Sequence, residues 1–153
     1  DMGIYPAALS QQFLGNPTEI HAFGKLHPNQ IDEETHTFMR FANGSRSNFV
    51  LSARTTLPHW AGVSGSKGAI TFGTPWFTPS SITFHEQTFN GAQTTWEDDL
   101  GIPEHLGLIY QVHAFAQYVE QGLLEGPLYT HHDSLSNIKT VLEIGNLIGT
   151  RYK

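Results

Sequence analysis

A chain of 153 residues is long enough for one domain with a real core and too short for two comfortable ones. A net charge of −6, with only eight scattered Lys and Arg, argues against a nucleic-acid-binding surface. Cysteine is absent, which excludes disulfides, thiolate metal sites and a cysteine nucleophile, and fits the cytoplasm.

Charged residues make up 14% and aromatics 12%, a balance that hints at an interface rather than a fully solvated surface. No apolar run approaches the ~18 residues of a membrane span, and no signal segment is present. The first amphipathic helix begins at once behind Asp1-Met2, with no lead-in, as expected of a fragment cut from a longer protein.

Residues 4–14 carry a helical stripe of Ile4, Ala7, Ala8 and Phe13 or Leu14. Pro6 is tolerated only in a first turn, so it sets the helix start near Ile4 or Tyr5, and Gly15-Asn16-Pro17 stops it. Asp1 and Tyr5 are four apart, a spacing that puts a carboxylate and a phenol on one helical face. By themselves they read either as a cap and a packed ring or as an acid–base pair.

From residue 18 to 98 the period becomes that of strands. Residues 19–26, 32–42 and 46–57 read as three, the last two joined at Asn43-Gly44, a strong hairpin signal. Residues 59–64 and 69–73 follow around the turn Gly65-Ser66-Lys67-Gly68. Residues 81–89 and 93–97 form a further hairpin around Asn90-Gly91. Helical periodicity returns over 104–121, with Ile109, Val112, Phe115 or Ala116, and Val119 as its stripe. A last helix is capped by Asp133 or Ser134 and buries Leu135, Ile138, Val141, Leu142 and Leu147 or Ile148. Segregated strands and helices predict an α+β fold: an open, predominantly antiparallel sheet with helices packed on one face. The other face, rich in Thr, Phe and Trp, is expected to meet a partner.

The glycine turn Gly62–Gly68 has the wrong spacing for a phosphate cradle and leads into a strand. The densest histidine cluster, His131-His132-Asp133, lacks the three or four convergent ligands of a metal site, so no metal is expected. His21, His36 and His85 fall singly on strands. Ser64 has no nucleophile elbow around it. Asp32-Glu33-Glu34 and Glu97-Asp98-Asp99 read as solvated strand ends.

Taken in order, these pieces resemble the C-terminal domain of the glucose–fructose oxidoreductase, inositol dehydrogenase and MocA family. Asp1-Met2-Gly3-Ile4-Tyr5 is similar to its Asp-x-Gly-x-His/Tyr motif. Gly15-Asn16-Pro17, Ile31-Asp32-Glu33, Phe41-Ala42-Asn43-Gly44 and Val63–Ile70 match its successive turn and strand elements. The stretch Gly122–Pro127, then Ser134, Val141-Leu142-Glu143 and Gly149, resembles the dimeric dihydrodiol dehydrogenase branch, which usually has Ser where this chain has Gly126.

The resemblance implies a C-terminal substrate-binding and dimerisation domain over residues 1–153. The parent would be an oxidoreductase acting on a sugar, polyol or diol with NAD or NADP. An N-terminal Rossmann domain, outside this chain, would bind the cofactor and carry a catalytic lysine. Tyr5 would be the general acid–base and Asp1 would orient substrate. A tyrosine acts as a base near neutral pH only with a neighbouring cation, so the chain alone is expected to be inactive. The bare sheet face would form a homodimer or higher homo-oligomer. Two other readings are a non-catalytic assembly module with a relic motif and an unrelated α+β binding domain. The roles of Trp60, Trp76 and Trp96 stay open.

Overall fold

The computed structural model describes residues 2–88, 90–103 and 106–150. The chain divides into two compact units, Asp1–Leu57 with Glu125–Lys153, and Pro58–Leu124. All named strand pairs are antiparallel, in one sheet of three strands and one of four.

The first unit holds α1 (Ile4–Leu14), β1 (Pro17–Leu26), β2 (Asp32–Phe41), β3 (Arg46–Ser52) and α3 (His131–Ile148). Its sheet has the order β1-β2-β3. Along β2 burial alternates strictly, as a sheet with one covered face requires: Glu33, Thr35, Thr37, Met39 and Phe41 point inward. Their β1 neighbours Ala22 and Ile20 and their β3 neighbours Leu51 and Phe49 share that face. Helix α3 lies on β1 and β2, and α1 lies on α3, where Ala7 is fully buried.

Gly24 shows how close the strands come: a Cβ there would sit 2.0 Å from the backbone oxygen of Glu34. The Asn43-Gly44 turn closes β2 onto β3 as expected, with Gly44 at φ +83 and its N–H donating to Phe41 O. Strand β3 ends at Ser52, five residues before the predicted end. The hydroxyl of Ser52 accepts from the backbone N–H groups of Arg54 and Thr55 and folds the chain away from the ladder.

Helix α3 corrects two expectations. Its N-cap is Thr130, not Asp133 or Ser134: the Thr130 hydroxyl accepts from the Asp133 N–H while the Asp133 carboxylate accepts from the Thr130 N–H. Its buried side is Asn137, Thr140, Ile144 and Gly145, whereas Leu135, Ile138, Leu142 and Leu147 are exposed. Small side chains let α3 approach the sheet and α1 closely, and hydrogen bonds described below engage the Asn137 amide nitrogen and the Thr140 hydroxyl.

The second unit holds β4 (Gly62–Gly65), β5 (Gly68–Phe72), β6 (Ser81–Glu86), β7 (Gln93–Glu97) and α2 (Leu108–Glu120). Its sheet runs in chain order. Val63, Ile70, Phe84, Phe72, Ile82 and Trp96 share one face; Thr71, Thr83, Thr95 and His85 share the other, linked by Thr83–Thr95 and Thr71–His85 hydrogen bonds of 2.9 Å. Strand β4 starts at Gly62 rather than His59, whose carbonyl accepts instead from the Trp76 N–H. Strand β6 ends at Glu86, because the Thr88 N–H turns back to the Glu86 carbonyl. The predicted stripe Ile109, Val112, Phe115 and Val119 of α2 is exposed.

Candidate active site at the start of helix α1

Tyr5 occupies the first turn of α1, and its residue surface is 53% exposed. That helix has Gly3 at its N-cap, no side-chain cap and no acidic residue in its first turn. Its N-cap residue thus offers no side chain to the orphan N–H groups of the helix start. Position three of the helix is Pro6, which has no N–H to satisfy.

What holds the first turn is tertiary. Asn137 of α3, only 2% exposed, donates from Nδ2 to the Ile4 carbonyl at 3.2 Å and to the Tyr129 hydroxyl at 3.0 Å. A carbonyl can only accept, so the Ile4 contact fixes which end of the amide points there. At the far end of α1 a second amide does the same work. Gln11 Nε2 lies 3.0 Å from Ser136 Oγ, 3.3 Å from Thr140 Oγ1 and 3.2 Å from Asn16 Oδ1. Helix α1 is thus tied to α3 at both ends. Asp1 lies outside the described residues, so its geometry relative to Tyr5 is not part of this site as described.

A buried carboxylate stands on the same sheet face. Glu33 has its side chain 8% exposed and pairs with Lys25 Nζ at 3.1 Å and Arg54 Nη1 at 3.0 Å. The Lys25 hydrogen bond is the main cause that lowers its pKa below the ordinary glutamate value; burial opposes it, and the charges of Lys25 and Arg54 add to it. Glu33 is therefore a fixed anion rather than a proton donor. The sequence reading placed Glu33 with solvated strand ends. The signal that finds it is its parity with Thr35, Thr37, Met39 and Phe41. The start of α1 lies over this face too: a Cβ on Gly3 would meet Leu51, the β3 partner of Thr35, at 3.5 Å.

Other candidate chemistry is spoken for. In the second unit Tyr110 donates a hydrogen bond to Asp98, which pushes its pKa up to about 12 and keeps the phenol protonated. His131 and His132 lie near Glu125 and Asp133, at 3.6 and 4.0 Å, and Asp133 is already the reciprocal partner of the α3 cap. Among the described residues no group of three or more His, Cys, Asp or Glu could hold a metal. The turn Gly65–Gly68 joins β4 to antiparallel β5, so it offers no helix N-terminus to a dinucleotide pyrophosphate. Among the described residues no helix is long and apolar enough to cross a membrane.

The family profile described as "GFO/IDH/MocA C-terminal domain" matches residues 1–71, the span of α1, β1–β3 and the β4–β5 hairpin. Over those residues the chain is similar to the GFO/IDH/MocA C-terminal domain. The likeness to GFO/IDH/MocA proteins extends further along the chain. A mouse (Mus musculus) trans-1,2-dihydrobenzene-1,2-diol dehydrogenase is 22% identical over 154 residues, covering 99% of this chain and 46% of its own length. The chain thus spans about half the length of the curated relatives it matches. UDP-N-acetylglucosamine 3-dehydrogenase GnnA from Acidithiobacillus ferrooxidans shares the fold at a TM-score of 0.76 and 11% identity, over 95% of this chain and 45% of that one. Levoglucosan dehydrogenase, in complex with NADH and levoglucosan, does so at 0.71 and 16%, over 96% and 48%. At such identities the structural likeness is one of fold.

Proposed function

We propose that this chain is the substrate-binding and assembly part of an NAD(P)-dependent oxidoreductase. It would interconvert a hydroxyl and a carbonyl on a sugar, polyol or diol. A domain preceding residue 1 would hold the cofactor, and such a division accords with relatives about twice as long. The observation that carries this reading is Tyr5: a half-exposed phenol in the first turn of α1, inside the matched span, on backbone fixed by Asn137.

Hydride transfer at the substrate carbon would be supplied by the nicotinamide cofactor held in the preceding domain. The part of Tyr5 is the proton. In oxidation its phenolate oxygen would take the proton as the substrate hydroxyl becomes a carbonyl, and in reduction the phenol would return it. A lysine from the preceding domain would hold the phenol ready for that transfer, and Asp1 would orient the substrate. The bare face of the β1-β2-β3 sheet, with Phe23, Phe38 and Val50 exposed on it, would meet the same face of a second copy.

The test is an assay of the full-length protein with NAD and NADP over a panel of sugars, polyols and diols, read by nicotinamide absorbance. Turnover by the full-length protein and none by this chain alone is the expected result. Turnover by the isolated chain would contradict it. A full-length protein that assembles but turns over nothing would favour a module with a relic motif.

A further inference from the structure

We propose that Asn137 is a positioning residue for Tyr5; this rests on the reading of Tyr5 as the acid–base group. The carbonyl that Asn137 grips belongs to Ile4, and that carbonyl shares one planar peptide unit with the N–H of Tyr5. Holding the Ile4 oxygen therefore sets the plane from which the Tyr5 side chain projects. It adds to the helix's own ladder at a start that has no side-chain cap and contains Pro6 in its first turn.

Asn137 suits the task. It is buried in α3, and both of its amide hydrogens are engaged, one by Ile4 and one by Tyr129. Tyr129 in turn keeps the amide from rotating away from Ile4. Asn137 touches neither substrate nor cofactor in this scheme. It acts through the backbone of α1, and a shift of about 1 Å in a reacting group can cost on the order of 100-fold in rate.

The experiment is a double-mutant cycle in the full-length protein with a substrate it turns over. Asn137→Ala should lower kcat by roughly 10- to 100-fold and change KM by less than about threefold. In a Tyr5→Phe background the same change should cost less than about twofold, because Asn137 works only through the phenol. Tyr129→Phe is the milder probe should Asn137→Ala fail to fold. It should lower kcat by about 3- to 10-fold and be equally silent behind Tyr5→Phe. Normal kcat in a folded Asn137→Ala or Tyr129→Phe protein, or an undiminished loss in the Tyr5→Phe background, overturns the role of Asn137 alone. Wild-type turnover by Tyr5→Phe itself overturns the reading of Tyr5 and the inference with it.

Discussion

Phe23 on β1 and His36 on β2 stack across the bare face of the three-stranded sheet, with ring centroids 4.9 Å apart and planes 4° from parallel. Phe38 and Val50 flank them on the same face, both exposed. Around this apolar centre lie polar contacts: His36 with Glu34 at 2.9 Å, and Glu19 with His21 at 2.7 Å and Arg40 at 3.2 Å. An aromatic centre with a polar rim suits a two-fold interface.

Light scattering should accordingly give twice the chain mass at micromolar concentration. Phe38→Glu places a charge at the centre of that face and should weaken the dimer by at least about 30-fold, the scale of a hot-spot residue. A monomeric wild-type protein at high micromolar concentration would count against assembly through this face.

Gly24 is the position where β1 tolerates no side chain. The clash of an added Cβ would be with backbone, which cannot swing aside. Gly24→Ala should destabilise the first unit by more than about 2 kcal/mol, measured by denaturant unfolding. A variant as stable as wild type would mean that β1 can shift its register against β2.

Acid should expose the carboxylates that the fold holds ionised. Both Glu33 and Asp133 have folded pKa values below the ordinary ones: Glu33 chiefly through Lys25, and Asp133 through the Thr130 hydroxyl and N–H. A group with a depressed folded pKa binds protons more tightly when unfolded. Its stabilisation is complete above about pH 5 and is lost as pH falls through the folded value. Glu33→Gln should be less stable than wild type at neutral pH, with a shallower fall of Tm on acidification, so that the two curves converge toward pH 2–3. Parallel curves would show that Glu33 contributes by packing and not by charge.

How much of this was legible beforehand follows from what each signal measures. Thr and aromatic content marks β2, and Asn43-Gly44 marks its hairpin, because both are local signals. The bounds of α1 were legible from Pro6 and Gly15 for the same reason. The buried side of α3 was not. Hydrophobic periodicity favours Leu135 and Ile138, but close helix packing here selects Asn137, Thr140 and Gly145, and their partners lie far away in sequence, Ile4 and Gln11 among them. Thr130-x-x-Asp133 has a capping-box spacing, a local signal that marks the α3 start. Charge alone hides Glu33, whereas its parity with Thr35 and Thr37 places it inward. Tyr5 drew notice through spacing and family resemblance together. That Asn137 supports it could come only from three-dimensional contacts.

The claim that matters most is that the Tyr5 phenol moves the proton in turnover. The measurement that tests it is kcat of the full-length Tyr5→Phe protein, across pH, on a substrate that the wild type oxidises. The expected result is a fall of about 10²- to 10⁴-fold in kcat with little change in KM. A Tyr5→Phe protein that keeps wild-type kcat would contradict it.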